Sequence, residues 1–418
     1  MIDLRRLRDD ADYRRGIERK RVRAGLIDEV LALEAQQRAL HTSVQELRAE
    51  QNAASKAIGR AEAGERAAKI EAAAALKARV GENEAALARL VDEVHDLVLQ
   101  VPNPAHESVP DGGEDEGSVV REVGGPLRTE VGWSHSDYGR KQGWVERDVA
   151  AEMSGSRFAY LMGESVLLEF ALVQWVMHKL VAEGFTPVVP PVLVREEAMI
   201  EAGFFPTDKH QVYEVDGGDL YLVGTAEVPL SLLHRDSILG SDDLPARYAG
   251  FSSCFRREAG TAGKDTTGIF RVHQFDKVEM FVYADPSTSW DEHDRMLAIE
   301  EAVIGGLGLP YRVVNIAAGD LGNPAAKKYD IEVWLPSEGR YRELTSCSNY
   351  LDYSARRLRT RMRTDGGNEM VHTLNGTACA IGRTLTFLFE HYQEPDGGFR
   401  VPEVLHPYCG FTHVESRG

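Results

Sequence analysis

Cysteine is scarce in this 418-residue chain: Cys254, Cys347, Cys379 and Cys409 stand far apart, with no CxxC pair and no histidine at metal-site spacing. That excludes a disulfide framework and leaves no ligand set for zinc, so reduced thiols in a cytoplasmic, zinc-free protein are expected. Long hydrophobic runs are missing too. The N-terminus is charged from Asp3 onward, and no stretch approaches about eighteen uninterrupted apolar residues, so no membrane association is expected. Net positive charge is also lacking. With 48 Lys and Arg against 66 Asp and Glu the formal charge is −18, and a nucleic-acid partner would have to meet a local basic patch. Residues 1–24 offer one, since Arg5, Arg6, Arg8, Arg14, Arg15, Arg19, Lys20, Arg21 and Arg23 outnumber Asp3, Asp9, Asp10, Asp12 and Glu18. A solvated helical surface explains that excess equally well.

Proline is absent from 28 to 101, a stretch rich in Ala, Glu, Leu, Arg and Gln. Apolar residues recur there at alternating steps of three and four, as Val30, Leu33, Leu40, Val44, Leu47, Ala54 and Ile58, with Gln37 and Gln51 interrupting the seam. A second series runs Ala73, Leu76, Val80, Leu87, Leu90, Val94, Leu97 and Val101, with Asn83 in the remaining seam position. Residues 59–64, with a glycine at each end, are suited to reverse the chain. Two helices of about 30 residues each would make an antiparallel hairpin roughly 45 Å long. Such an arm is too thin to carry a pocket; it could be an intermolecular coiled coil, a spacer, or a reach toward a distant part of a large ligand. Pro102 and Pro104 end it. The acidic, glycine-rich stretch that follows reads as a linker over 105–125, and short β-like runs mixed with helices from 126 to 418 predict an α+β domain.

The densest chemical signal lies in that second domain. Cys254-Phe255-Arg256-Arg257-Glu258, a glycine-containing loop over 259–268, and Arg271-Val272-His273-Gln274-Phe275-Asp276-Lys277-Val278-Glu279 read as two strands. A two-residue period from 269 to 281 puts Arg271, His273, Phe275, Lys277 and Glu279 on one face and Phe270, Val272, Val278, Met280 and Val282 on the other. Arg256 and Arg271 offer fixed forks of donors to phosphate oxygens, Phe275 a platform for a base, and Glu279 a partner for an ammonium group. The set suits a nucleoside triphosphate and an amino acid; a solvated, mixed-charge hairpin is the plain alternative. The loop is no Walker loop, because only two residues separate Gly260 from Gly263 and Asp265 follows Lys264.

The wording of this segment resembles motif 2 of the class II aminoacyl-tRNA synthetases. Val223-Gly224-Thr225-Ala226-Glu227 and Glu343-Leu344-Thr345-Ser346-Cys347-Ser348-Asn349 narrow the resemblance to the seryl-tRNA synthetase family, over essentially the whole chain. Residues 184–194, with Pro187, Pro190 and Pro191, resemble motif 1 and are expected at a sheet edge or interface, where the family builds its homodimer. Residues 374–385 resemble motif 3, with Gly382 permitting close backbone approach and Arg383 at a helix start.

The resemblance implies the site. L-serine would be held by Thr225, Ala226, Glu227, Arg256, Glu279, Asn375 and Thr377. ATP would meet Arg256, Arg257, Glu258, Arg271, Val272, Phe275, Glu343, Leu344, Thr345, Ser346 and Arg383, with Arg256, Arg271 and Arg383 in the catalytic role and magnesium at Glu343 and Ser346. The implied product is seryl-tRNA(Ser), formed through a seryl-adenylate, with tRNA(Sec) charged where it exists. The family's arm grips the tRNA, and Lys56, Arg60 and Lys69 near its tip could touch phosphates. The family often has an arginine where Thr267 stands, which puts an acceptor-stem contact there in doubt. Taken alone, Thr225 and Glu227 read equally as a helix cap and a first-turn acid. Two rivals are disfavoured: a ligase that loads a carrier protein would lack the arm, and an inactive synthetase core would have lost the arginines.

Overall fold

The computed structural model describes every residue except 63, 126, 129–131, 261–264, 266 and 418, and the side chain of 216. The chain divides into two compact units, Ile2–Pro102 and Asn103–Gly418.

In the N-terminal unit two short helices, α1 (Leu4–Asp9) and α2 (Ala11–Glu18), precede two long ones, α3 (Leu26–Gly59) and α4 (Arg66–Leu99). Asp3 and Asp10 cap α1 and α2 by accepting from backbone N–H groups of the first turn. The two long helices pair as a hairpin along the heptad seam: Val30, Val44 and Leu47 on α3 and Val80 and Val94 on α4 are buried, and the residues between them in the seam are half-buried. Each helix has 34 residues, longer than the sequence pattern predicts, because α3 begins at Leu26, ahead of its first seam residue Val30, and α4 begins at Arg66, well ahead of Ala73. Arg48 and Glu84 pair across the hairpin at 2.6 Å. The basic patch of 1–24 is largely self-neutralised, with Arg6 on Asp10, Arg15 on Asp12, and Arg8 on both Asp9 and the buried Glu34.

The C-terminal unit is built on an eight-stranded sheet. Its strands are β1 (Ser118–Val123), β2 (Thr186–Val188), β3 (Ala246–Phe255), β4 (Gln274–Ala284), β5 (Tyr311–Asn315), β6 (Lys327–Leu335), β7 (Arg340–Asn349) and β8 (His372–Ala380). Spatial order is β1-β5-β6-β7-β8-β4-β3-β2; every neighbouring pair is antiparallel except β2 with β3. Helices α5 (Glu164–Ala182), α6 (Ser289–Gly306) and α7 (Ile381–Tyr392) supply the apolar cover, and Val278, Met280, Val282, Ile331, Val333 and Leu374 join Leu172, Met296, Val303 and Leu385 in one core. The fold is thus the α+β architecture read from the sequence. The stretch 105–125 is not a free linker, however. Ala105 and Val109 are buried with Val314 and Ile316, and the valine-rich Ser118–Val123 forms the edge strand β1, with an irregularity between Val119 and Arg121.

Helix α5 is long and apolar enough to cross a membrane by length and composition, although Glu169, Gln174, His178 and Lys179 interrupt it. Leu168, Ala171, Leu172, Val176 and Leu180 pack into the core, while Leu167, Phe170 and Val181 remain exposed.

Two bulges decide which side chains reach the open face of the sheet. Opposite β6, Thr345 pairs with Ile331 and Glu343 with Glu332, so Leu344 is an extra residue in β7. Opposite β4, Cys379 pairs with Val278 and Thr377 with Glu279, so Ala378 is an extra residue in β8. Each insertion turns two consecutive side chains toward the core and puts residues three apart on the same face. Glu343 and Ser346 come to share the open face in this way.

Candidate active site

The open face carries a cavity of about 460 Å³ whose floor is β4, β7 and β8. One end is cationic. Strand β3 stops at Phe255 and β4 begins at Gln274, so Arg256, Arg257, Glu258, Arg271 and Val272 lie outside the ladder, contrary to the two-strand reading. Freed from strict alternation, Arg271 and Val272 both line the cavity, whereas His273 leaves that face and donates from Nδ1–H to the Arg256 carbonyl oxygen at 2.9 Å. Of the loop over 259–268, residues 261–264 and 266 lie outside the described residues.

The cations are pre-paired. Arg271 Nε donates to Glu258 at 2.5 Å, and Arg383, in the first turn of α7, meets Glu343 through its carbonyl at 3.1 Å and its carboxylate at 3.3 Å. Arg256 Nε donates to the Gly224 carbonyl at 3.2 Å while its guanidinium lies 5.3 Å from the centroid of the Phe275 ring. Phe270, assigned by alternation to the packing face, also lines the cavity and is covered by Arg342 at 4.2 Å and Arg383 at 5.0 Å. Burial works against the charge on Glu343, but Arg383, Lys328 and Arg256 outweigh it and hold the carboxyl below its ordinary range. Glu343 therefore presents an ionised oxygen to the same cavity that Ser346 lines.

The other end is a closed hydrogen-bond network. The Thr225 hydroxyl donates to Glu279 Oε2 at 3.2 Å and accepts from Lys277 Nζ at 2.9 Å and from the Glu227 N–H at 3.2 Å. Asn375 Nδ2 donates to Glu227 at 2.8 Å and to Glu279 at 3.1 Å. Lys277 is ion-paired with Glu279. Thr377 lines the same end from β8. Burial, then the neighbouring Glu279, pushes the Glu227 carboxyl up to about 8, so it carries a proton at neutral pH and is further bonded to Tyr350. Glu227 opens the short helix Glu227–Ser231, whose N-cap position is Ala226; Thr225 stands one residue before it, its hydroxyl accepting from the Glu227 N–H.

Three residues expected in the site lie outside the cavity. Ala226 is buried with Leu230 and Phe281 in a separate cluster. Arg257 is exposed, and its N–H donates to the Gln211 carbonyl. Thr345 points through the sheet, where its hydroxyl donates to Glu300 of α6 at 2.9 Å, because the extra Leu344 inverts its direction. The other expected residues line the cavity: Thr225, Glu227, Arg256, Glu258, Arg271, Val272, Phe275, Glu279, Glu343, Leu344, Ser346, Asn375, Thr377 and Arg383. At Gly382 a Cβ would stand 3.3 Å from the Ile269 carbonyl oxygen, a tight approach that glycine avoids.

Residues 211–392 match the tRNA synthetase class II core domain (G, H, P, S and T), and residues 1–105 match the seryl-tRNA synthetase N-terminal domain. A serine–tRNA ligase from Thermobifida fusca is 48% identical over 413 residues, 98% of each chain. The chain belongs to the seryl-tRNA synthetase family. Among solved relatives, the seryl-tRNA synthetase of Pyrococcus horikoshii complexed with ATP has a TM-score of 0.94 at 37% identity, covering 100% of both chains. The cytoplasmic serine–tRNA ligase of Naegleria fowleri in complex with AMP has a TM-score of 0.90 at 33% identity, covering 100% of this chain and 99% of that one.

Membership in the seryl-tRNA synthetase family leaves several cavity residues that the motifs did not announce. Phe204, Thr207 and Asp208 line it from a turn with no recognisable pattern, and Asn323 and Tyr350 from loop ends. Lys277 had a signal, since it sits between Phe275 and Glu279 at the two-residue period.

Proposed function

We propose that the chain activates L-serine with ATP to a seryl-adenylate and transfers the seryl group to tRNA(Ser), and to tRNA(Sec) where that tRNA exists. The observation that carries this reading is the single cavity with guanidinium groups at one end and the Thr225–Glu279–Asn375 network at the other. A serine carboxylate oxygen attacks the α-phosphorus in line, the bond to the β-phosphate oxygen breaks, and pyrophosphate leaves. Arg256 meets the developing charge on the α-phosphoryl group, while Arg271 and Arg383 exchange Glu258 and Glu343 for the outer phosphates. Adenine stacks on Phe275 beside Val272. The protein supplies position and electrostatics, and no side-chain nucleophile is needed. In the second step a ribose hydroxyl of the tRNA terminus attacks the adenylate carbonyl and the departing phosphate accepts its proton.

Glu343 and Ser346 fit a magnesium ion, being an ionised carboxylate and a hydroxyl facing one cavity, both hard oxygen donors. Bound there, the ion would neutralise charge between the α- and β-phosphates. Serine is selected because its hydroxyl adds a partner to the Thr225–Glu279–Asn375 network that alanine cannot supply, and threonine demands more volume. Two copies associate through 184–194 and the exposed face of α5, the hairpin α3–α4 binds the tRNA, and the protein works in the cytoplasm.

The decisive experiment offers total tRNA and ATP with each of the twenty amino acids. Serine alone should be attached, and attachment of another amino acid in its place would overturn the reading. The Arg256→Ala variant should lose serine-dependent ATP–pyrophosphate exchange by about 10³-fold or more, and near-normal exchange would remove Arg256 from its role.

A further inference from the structure

The amino-acid end of the cavity contains a cation that the mechanism above does not use. Lys277 is 6% exposed, in the middle of β4, and its ammonium group touches two groups at once: the Thr225 hydroxyl, 2.9 Å away, and the carboxylate of Glu279. Glu279 is itself fully buried. A buried ion pair is an uncertain source of stability, since desolvation offsets most of the attraction and a packed apolar residue often serves as well. Lys277 faces the cavity, on the side of β4 away from the core residues Val278 and Met280, so packing of the core does not call for a lysine there. What the ammonium group does achieve is orientation. The Thr225 hydroxyl has one proton; because it accepts from Lys277 and from the Glu227 N–H, that proton is committed to Glu279. Glu279 thereby has one oxygen fixed by Thr225 and Lys277 and the other by Asn375.

Charge adds a second effect. Glu227 is held neutral, so Glu279 and Lys277 are the directly paired opposite charges at this end, with Arg256 the next cation along the cavity. A ligand ammonium group near Glu279 shares that carboxylate with Lys277, and a second ligand ammonium group would stand beside an ammonium already in place.

We propose that Lys277 is a positioning and specificity-determining residue: it locks Glu279 and Thr225 in one arrangement and bars amino acids whose side chain carries its own ammonium group. This rests on the reading of the cavity as a serine site. Serine, with an uncharged hydroxyl, fits beside the pair; 2,3-diaminopropionate, which puts an ammonium group where serine has its hydroxyl, is repelled. Without Lys277 the buried Glu279 carboxylate lacks a counter-charge, and the diamine becomes the better partner.

The test is amino-acid-dependent ATP–pyrophosphate exchange with serine and with 2,3-diaminopropionate, at mildly acidic pH where both of its amines carry protons. Wild type, Lys277→Met, Lys277→Gln and Lys277→Arg are compared, with KM for ATP and thermal stability measured alongside. Lys277→Met should raise KM for serine by about 30-fold or more, the worth of a hydrogen bond to a charged group, with KM for ATP nearly unchanged. The ratio of kcat/KM for the diamine over serine should rise by about 100-fold. Lys277→Gln keeps a donor to Thr225 without the charge and should shift the same ratio, while Lys277→Arg should restore the preference for serine. A ratio that stays at the wild-type value in Lys277→Met and Lys277→Gln overturns the inference, whatever activity is lost. Absence of serine-dependent exchange in the wild type would instead overturn the serine reading itself.

Discussion

At the scale of single residues the site works by keeping its carboxyls in different states. Glu343 stays ionised beside three cations, and Glu227, buried next to another acid, holds its proton up to about pH 8. The folded state therefore binds a proton at Glu227 that the unfolded chain, at the ordinary value of 4.5, has already released. That contribution to stability is complete below the unfolded value and is lost as the pH rises through the folded one. Glu227→Gln, which keeps shape and hydrogen bonding without ionisation, should flatten the fall in melting temperature between mildly acidic and mildly alkaline pH; an unchanged slope in thermal unfolding would show that Glu227 is not held neutral. Much of this was legible in the sequence. The three arginines and the acids at 227, 279 and 343 came from motif wording, since each motif fixes residue types around phosphates and an ammonium group. Glu300 did not. It is buried beneath the sheet and bonded to Thr345, with one oxygen 2.8 Å from where a Cβ on Gly376 would stand, a three-element contact that no local pattern announces.

At the scale of elements the arm and the sheet were read with different success for a physical reason. The heptad seam of α3 and α4 is a property of consecutive residues, so Val30 to Ile58 and Ala73 to Leu97 could be traced from spacing alone. Sheet faces follow a period of two only while the ladder is regular. Leu344 and Ala378 break it, which is why Thr345 faces α6 and why Glu343 and Ser346, three apart, act together. A deletion that removes 28–101 tests the arm as an element. It should leave serine-dependent pyrophosphate exchange in place and eliminate transfer to tRNA, because the described residues that line the cavity all belong to Asn103–Gly418. Undiminished charging of tRNA by the deleted protein would end the proposed role of the hairpin.

At the scale of the whole molecule, a formal charge of −18 keeps copies apart unless a specific surface brings them together. The surface proposed above for association of two copies carries exposed apolar side chains on and around α5, with Phe170 58% and Val189 80% exposed. Phe170→Glu should convert a dimer into monomers in sedimentation equilibrium; a dimer of unaltered affinity would place the contact elsewhere. The edge strand β2 adds a constraint of its own. Pro187 lies within it, and Pro190 and Pro191 follow, so this border of the sheet offers few backbone N–H groups for a neighbour to continue the ladder. Association at that border, as proposed above, would rest on side chains and not on a continued ladder, and the imino acids stand against strand-by-strand growth into a fibre.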